Sequence, residues 1–350
     1  MAPLTRLLYV RGVAERLHRG GPKRGTYVSG LVEHVDEWAP EQERMEGLLI
    51  RRQRLSERYP VLFPLAVWVN RARRRLQWML PGTSWAAGRC EQDLDVRVKQ
   101  HKSLLLRQLG ESEMYLQHNK VTNLAIASAR LDGIVIRPGE TFSFNKLVGN
   151  CTKRRGYVEG MRLSNGEAVP GVGGGICQLA NLVHWMVLHS SLTVTDRSEH
   201  SFDPFPDNGR VLPWGTGCSI VYNYVDLQVR NDTDSTFQIR VSVGDRYLEG
   251  ELRVDRPQTL SYKVYAVNER FYRLGAEHFR ANQIWRTVID RRTGDRVGEE
   301  LVRANCALVK YLPEGVPIED LQPLVPGRAA TDPRRLLNAT DPVPAGRPGG

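Results

Sequence analysis

A chain of 350 residues with 41% hydrophobic content can bury a sizeable core, which excludes a disordered protein and allows one large or two ordinary domains. A formal net charge of +10 suits an anionic partner, either wall polymer or phospholipid; no helix-turn-helix, zinc finger or aromatic RNA-binding signature accompanies it, so nucleic acid is not expected. Five cysteines, Cys90, Cys151, Cys177, Cys218 and Cys306, are scattered without a CxxC pair, which argues against a zinc site and suits free thiols in a reducing compartment.

Residues 1–100 read as a basic, largely helical N-terminal region with turns at Pro81-Gly82 and Gly88. Residues 1–30 hold basic side chains but no apolar stretch of signal-peptide length before a cleavage site, so a cytoplasmic location is expected. The longest apolar run, residues 61–69, contains Pro64 and falls far short of the roughly 20 residues that span a bilayer. Arg51, Arg52, Arg54 and Arg58 precede it, and Arg71, Arg73, Arg74 and Arg75 follow. It reads either as a core helix with a solvated arginine face, which the usual behaviour of charge runs favours, or as a peripheral contact with the anionic inner face of a membrane. In the second reading Trp68, Trp78 and Trp85 sit at the interface.

Residues 101–256 form the expected core domain. A helix is expected over 116–131, with Val121, Leu124, Ala125 and Leu131 on its apolar side. Strands are expected at 134–136, 141–144, 219–229, 236–243 and 247–254, with turns at Pro138-Gly139 and Gly244-Asp245. Residues 257–325 extend this as mixed strands with a hairpin signal at Thr293-Gly294-Asp295. The tail, 326–350, is rich in Pro, Gly, Ala and Arg and reads as disordered. The fold class is therefore α+β, mostly antiparallel sheet, with a helix that carries Gly-Gly-Gly-Ile-Cys-Gln at its N-terminus.

That motif lies in Gly171-Val172-Gly173-Gly174-Gly175-Ile176-Cys177-Gln178. Beyond it, Ile176, Leu179, Leu182, Val183, Met186, Val187 and Leu188 keep helical spacing, and Leu192-Thr193-Val194-Thr195 alternates as a strand. Glycines permit positive φ, and the first amides of a helix have no partner within it, so they can stabilise an anion. A thiol placed there is expected to have its pKa lowered from about 8.5. Cys177 is thus the candidate nucleophile, with Gly173, Gly174, Gly175 and Gln178 as the loop that holds an oxyanion; the plainer reading is a small buried hydrophobe. His184 lies about 10 Å along the helix from Cys177 and reads as a packing residue, and His189 as a solvated helix end. His200 follows the returning strand and is the candidate base, against an ordinary surface histidine. Asp226, within a strand pattern, is the candidate orienter of the imidazole, or else an ion-pair partner of Arg230 or Arg240. No metal or cofactor is expected.

Asn119-Lys120-Val121-Thr122-Asn123-Leu124, Arg137-Pro138-Gly139-Glu140-Thr141-Phe142-Ser143-Phe144, the glycine–cysteine run with Gln178, and residues 226–234 together resemble the VanW family, the accessory proteins found with B-type vancomycin resistance. Upstream, Arg54-Leu55-Ser56-Glu57-Arg58-Tyr59-Pro60 resembles the short leader of the resistance-cluster type. Some proteins with this domain are L,D-transpeptidases that act through the motif cysteine, so the resemblance implies that Cys177 is acylated, and His200 and Asp226 match the family pattern. Ala180-Asn181 departs from the hydroxyl run of many larger members. The implied function is glycopeptide resistance and peptidoglycan metabolism, by cysteine-dependent acyl transfer on stem peptides or lipid-linked precursors. The alternative is a non-catalytic accessory module that binds cell-wall precursor.

Overall fold

The computed structural model describes residues 59–106, 114–164, 167–198, 202–207, 210–223 and 225–321. The expectations for residues 1–58, for His200 and for the tail at 326–350 lie outside the described residues.

Strands β2 (Val96–Leu104), β11 (Tyr247–Val254), β10 (Phe237–Val243) and β3 (Ile134–Ile136) lie side by side in that order, every pair antiparallel. In β11 the alternation is plain: Leu248, Gly250, Leu252 and Val254 are buried, while Glu249 and Glu251 point outward. Glu249 pairs with Lys102 at 2.9 Å and Glu251 with Arg97 at 3.2 Å across the strand, so one face of the sheet is wet and the other carries the core.

Helix α4 (Cys177–Leu188) packs on that inner face against β2 and β11. Gly250 lets it approach, because a Cβ there would come within 2.7 Å of Leu182 Cδ2 and 2.9 Å of Met186 Cε. Helix α2 (Met114–Leu131) lies against β10 and β5 (Glu159–Ser164), which pairs with β6 (Glu167–Val172) as a hairpin. A second sheet has the order β1 (Ser84–Trp85), β4 (Glu140–Ser143), β9 (Gln228–Arg230), β7 (Thr193–Asp196). The long strands β12 (Leu260–Leu274), β13 (Glu277–Asp290) and β14 (Arg296–Val309) form an antiparallel meander, edged in parallel by β15 (Ile318–Leu321) and β8 (Phe202–Asp203). The class is α+β with mostly antiparallel pairing, and no described helix is long and apolar enough to cross a membrane.

One expected strand does not form. The described residues of 219–227 make only isolated bridges before the short β9. Val221 and Val225 pair with each other, and their carbonyls also accept from the side chain of Asn145, at 3.3 and 2.8 Å, so the segment folds back on itself and is pinned by a side chain.

The meander has its own small core around Tyr272, Leu274, Phe279, Ala281 and Cys306. Beside it Arg280 is 1% exposed, pairs with Asp203 at 3.1 Å, with Glu269 at 2.5 Å and with Asp207, and lies between the rings of Trp214 and Phe271. Arg280→Met should lower stability by about 3 kcal/mol, since it removes the buried cation shared by Asp203, Asp207 and Glu269 and leaves Asp203 the longer ion pair with Arg210 at 3.8 Å. Urea unfolding measures this; an unchanged midpoint would show that the cluster contributes nothing.

Candidate functional site

The glycine loop is built from crowding. Gly173 and Gly175 take φ of +77° and +91°. A Cβ on Gly173 would meet Cys151 Cβ at 2.4 Å, and one on Gly175 would meet Lys120 Cγ at 2.0 Å. Gly174 lies against Gly160 of β5, so close that an added Cβ would come to 2.2 Å from its backbone carbon and oxygen.

Helix α2 holds this loop from below with a polar stripe that hydrophobic patterning does not reveal. Gln117, Lys120 and Asn123 fall three residues apart and are all buried. The Asn123 amide donates to Gly174 O at 2.9 Å and Val158 O at 3.0 Å, and its oxygen accepts from Val158 N at 2.9 Å. Lys120 lays its stem along Gly175 and donates to Gln117 Oε1 at 2.7 Å. Asn119 donates to Glu159 O at 2.8 Å. The one signal for these residues was the Asn119-Lys120-Val121-Thr122-Asn123 segment, which carried a resemblance rather than a periodicity. Ala125, expected on the apolar side, is exposed.

Cys177 opens α4, where Ile176 provides no side-chain cap. Gly173 N donates to Val158 O, Gly174 N to Gly171 O and Gln178 N to Gly175 O, but the amides of Gly175, Ile176 and Cys177 have no backbone acceptor among the described residues. The helix therefore opens on three consecutive donors that no backbone carbonyl takes up. Cys177 is half-buried and its thiol sits deep, packed against the central apolar cluster with Cys151 and Cys218 in electrostatic reach. Burial raises the Cys177 pKa and outweighs the amides of Ile220 and of Cys177 itself, which favour the thiolate. This corrects the expectation of a lowered value: a helix N-terminus favours the anion, but loss of solvent costs more. Cys218 is pushed up to about 12 by burial despite the nearby Arg197 guanidinium.

Gln178 is drawn away from the loop. Its side-chain amide donates to Ser103 Oγ and Leu104 O, both at 2.9 Å, and so ties α4 to β2. His184 is buried beside Thr216 O, 2.8 Å from Nδ1, and burial lowers its pKa to about 3, so it is neutral. His189 is half-buried rather than solvated, with its ring 4.5 Å from that of Trp185.

Asp226 is fully buried at the start of α3 (Phe144–Val148). One oxygen accepts from Asn145 N at 2.8 Å and Leu227 N at 2.9 Å, the other from Ser143 Oγ at 2.6 Å and Gln228 Nε2 at 3.1 Å. Burial raises its pKa, and these donors pull it back. Neither Arg230, which pairs with Asp232, nor Arg240, which pairs with Asp93 and Asp132, is its partner. Among the described residues no imidazole or carboxylate is hydrogen-bonded to Cys177; the four donors on Asp226 join α3 to β9, and the His200 imidazole that it was expected to orient lies outside the described residues. Asp226→Ala should cost about 3 kcal/mol, because four donors lose their acceptor together; thermal unfolding followed by circular dichroism measures this, and a loss below about 1 kcal/mol would show that the array is replaceable.

The model of VanW-like proteins matches residues 119–253, which span α2, the glycine loop, α4 and β11. Over 276 residues, 77% of this chain, the sequence is 32% identical to the vancomycin B-type resistance protein VanW of Enterococcus faecalis and covers 99% of it. The chain belongs to the VanW family. A second relative, the uncharacterized protein YoaR of Bacillus subtilis, is 33% identical over 115 residues, 31% of this chain and 38% of YoaR. No solved structure matches the chain. The residues that shape the loop, Asn119, Lys120, Asn123 and Gly173 to Gly175, all lie within the VanW match.

Proposed function

We propose that this VanW-family protein serves glycopeptide resistance through peptidoglycan metabolism, and that Cys177 performs acyl transfer of the L,D-transpeptidase type on stem peptides or lipid-linked precursors. The observation that carries this reading is the sulfur at the first turn of α4, where three consecutive amides have no backbone acceptor among the described residues. The likeness to the vancomycin B-type resistance protein of Enterococcus faecalis, covered almost end to end, supports the link to vancomycin resistance.

In this mechanism the thiol loses its proton to a base, for which His200 is the proposed acceptor, and the thiolate attacks the carbonyl of a donor peptide bond. The amides of Gly175, Ile176 and Cys177 hold the oxyanion as it forms. Terminal D-alanine departs as its amine takes the proton from the imidazolium, which leaves a thioester that an amine or water then resolves. Asp226 is the proposed orienter of that imidazole, and Gln178 anchors the helix.

Intact-mass spectrometry after incubation with a muropeptide donor tests this reading. The expected result is a mass increase equal to the donor less its leaving group, located on Cys177. Absence of both adduct and turnover with an active donor would overturn it. The rise in thiol pKa caused by burial favours a second reading, a non-catalytic module that binds cell-wall precursor. Equal precursor binding by wild type and Cys177→Ser, with no adduct in either, would select that module.

A further inference from the structure

Helix α1 (Phe63–Met79) is turned opposite to the usual order of a surface helix. At about 100° per residue, Leu65, Trp68, Val69, Leu76 and Met79 share about one third of its circumference. That apolar stripe faces solvent: Trp68 is 66% exposed and Met79 80%. The polar side faces the body. Arg74 binds Asp196 at 2.8 Å at the end of β7, Arg71 lies over the Tyr222 ring at 5.5 Å, and its carbonyl accepts from Asn223. The expected core helix with a solvated arginine face is therefore reversed. Trp78 and Trp85 are half-buried beside the Lys146 ammonium, so only Trp68 of the three expected interfacial indoles points out.

Arg73 and Arg75 border the stripe on its two sides, both exposed and without an ion-pair partner among the described residues. No acidic residue occurs between Glu57 and Glu91. We propose that the outer face of α1 docks this protein on an anionic lipid surface, with the helix lying in the plane of the interface. Leu65, Val69, Leu76 and Met79 enter the acyl boundary, the Trp68 indole sits among the headgroups, and Arg73 and Arg75 meet lipid phosphates. A convex stripe with a cation on each flank fits a plane of negative charge, and it leaves no acidic group to repel one. This inference stands apart from the chemistry of Cys177.

Co-sedimentation of the full chain with vesicles tests it. Wild type should pellet with phosphatidylcholine vesicles containing about one third phosphatidylglycerol, not with phosphatidylcholine alone, and less as salt rises. The double variants Leu65→Ser with Leu76→Ser, and Arg73→Glu with Arg75→Glu, should each reduce partitioning on the order of tenfold. All four side chains are exposed, so far-ultraviolet circular dichroism and melting should not change. Failure of wild type to bind anionic vesicles, or equal binding by the variants, would overturn the proposal. So would a concentration-dependent dimer that the leucine variant abolishes while vesicles leave wild type in solution, because the stripe would then be a protein contact.

Discussion

Cys177→Ser is expected to form no adduct with a muropeptide donor and to turn it over at least about a thousandfold more slowly, because serine in this setting lacks the nucleophilicity of sulfur. The fold should survive, since one oxygen replaces one sulfur in a half-buried position. The pH dependence follows from burial. A thiol whose pKa is raised above its ordinary value of 9.0 is protonated at neutral pH, so thiolate, and with it the rate of alkylation by iodoacetamide, should still be climbing at pH 9. Below the pKa the rate rises about tenfold per pH unit, and it levels off only when the thiolate predominates. A plateau below about pH 8 would show that a cation beside the sulfur outweighs its desolvation, contrary to the balance described here. An unaltered donor turnover in the serine variant would remove Cys177 from the chemistry altogether.

Gly174→Ala should be the most damaging single methyl group in the protein, at about 5 kcal/mol or an outright failure to fold. The added carbon would lie 2.2 Å from Gly160 carbon and oxygen and 2.8 Å from Met161 nitrogen, all backbone atoms that cannot rotate away. Relief would require parting the loop from β5, which breaks the bond from Asn123 to Gly174 O. Gly82 offers the control, for a Cβ there meets nothing within 4 Å, although its φ of +112° keeps some strain. Denaturant unfolding of the two alanine variants compares them directly. Equal losses would show that the contact with Gly160 does not limit the loop.

Much of this architecture was legible along the chain. Apolar spacing from Leu179 to Leu188 marked α4, alternation marked β10 and β11, and three glycines before Cys177 marked the loop, because each signal is local and arises from backbone geometry shared by all helices, strands and turns. Residues 219–227 depart from a strand because Val221 and Val225 pair with each other and a side chain more than 70 residues away, Asn145, donates to both of their carbonyls. Asp226 was visible as a carboxylate, but two of its four donors come from Ser143 and Asn145, 83 and 81 residues distant, and these bind it to α3.

The two largest reversals share one cause. Helical periodicity shows which residues of α1 lie together but not which side meets the body, and that choice is made by Asp196, Tyr222 and Asn223. Likewise, a helix N-terminus announces an anion site, whereas the depth of the Cys177 sulfur depends on the 218–220 segment and on Cys151 folding over it. Spacing along a chain records local geometry. Solvation is set by surfaces that meet only after distant segments have packed, and it is solvation that fixes which face of α1 stays wet and which form of the thiol predominates.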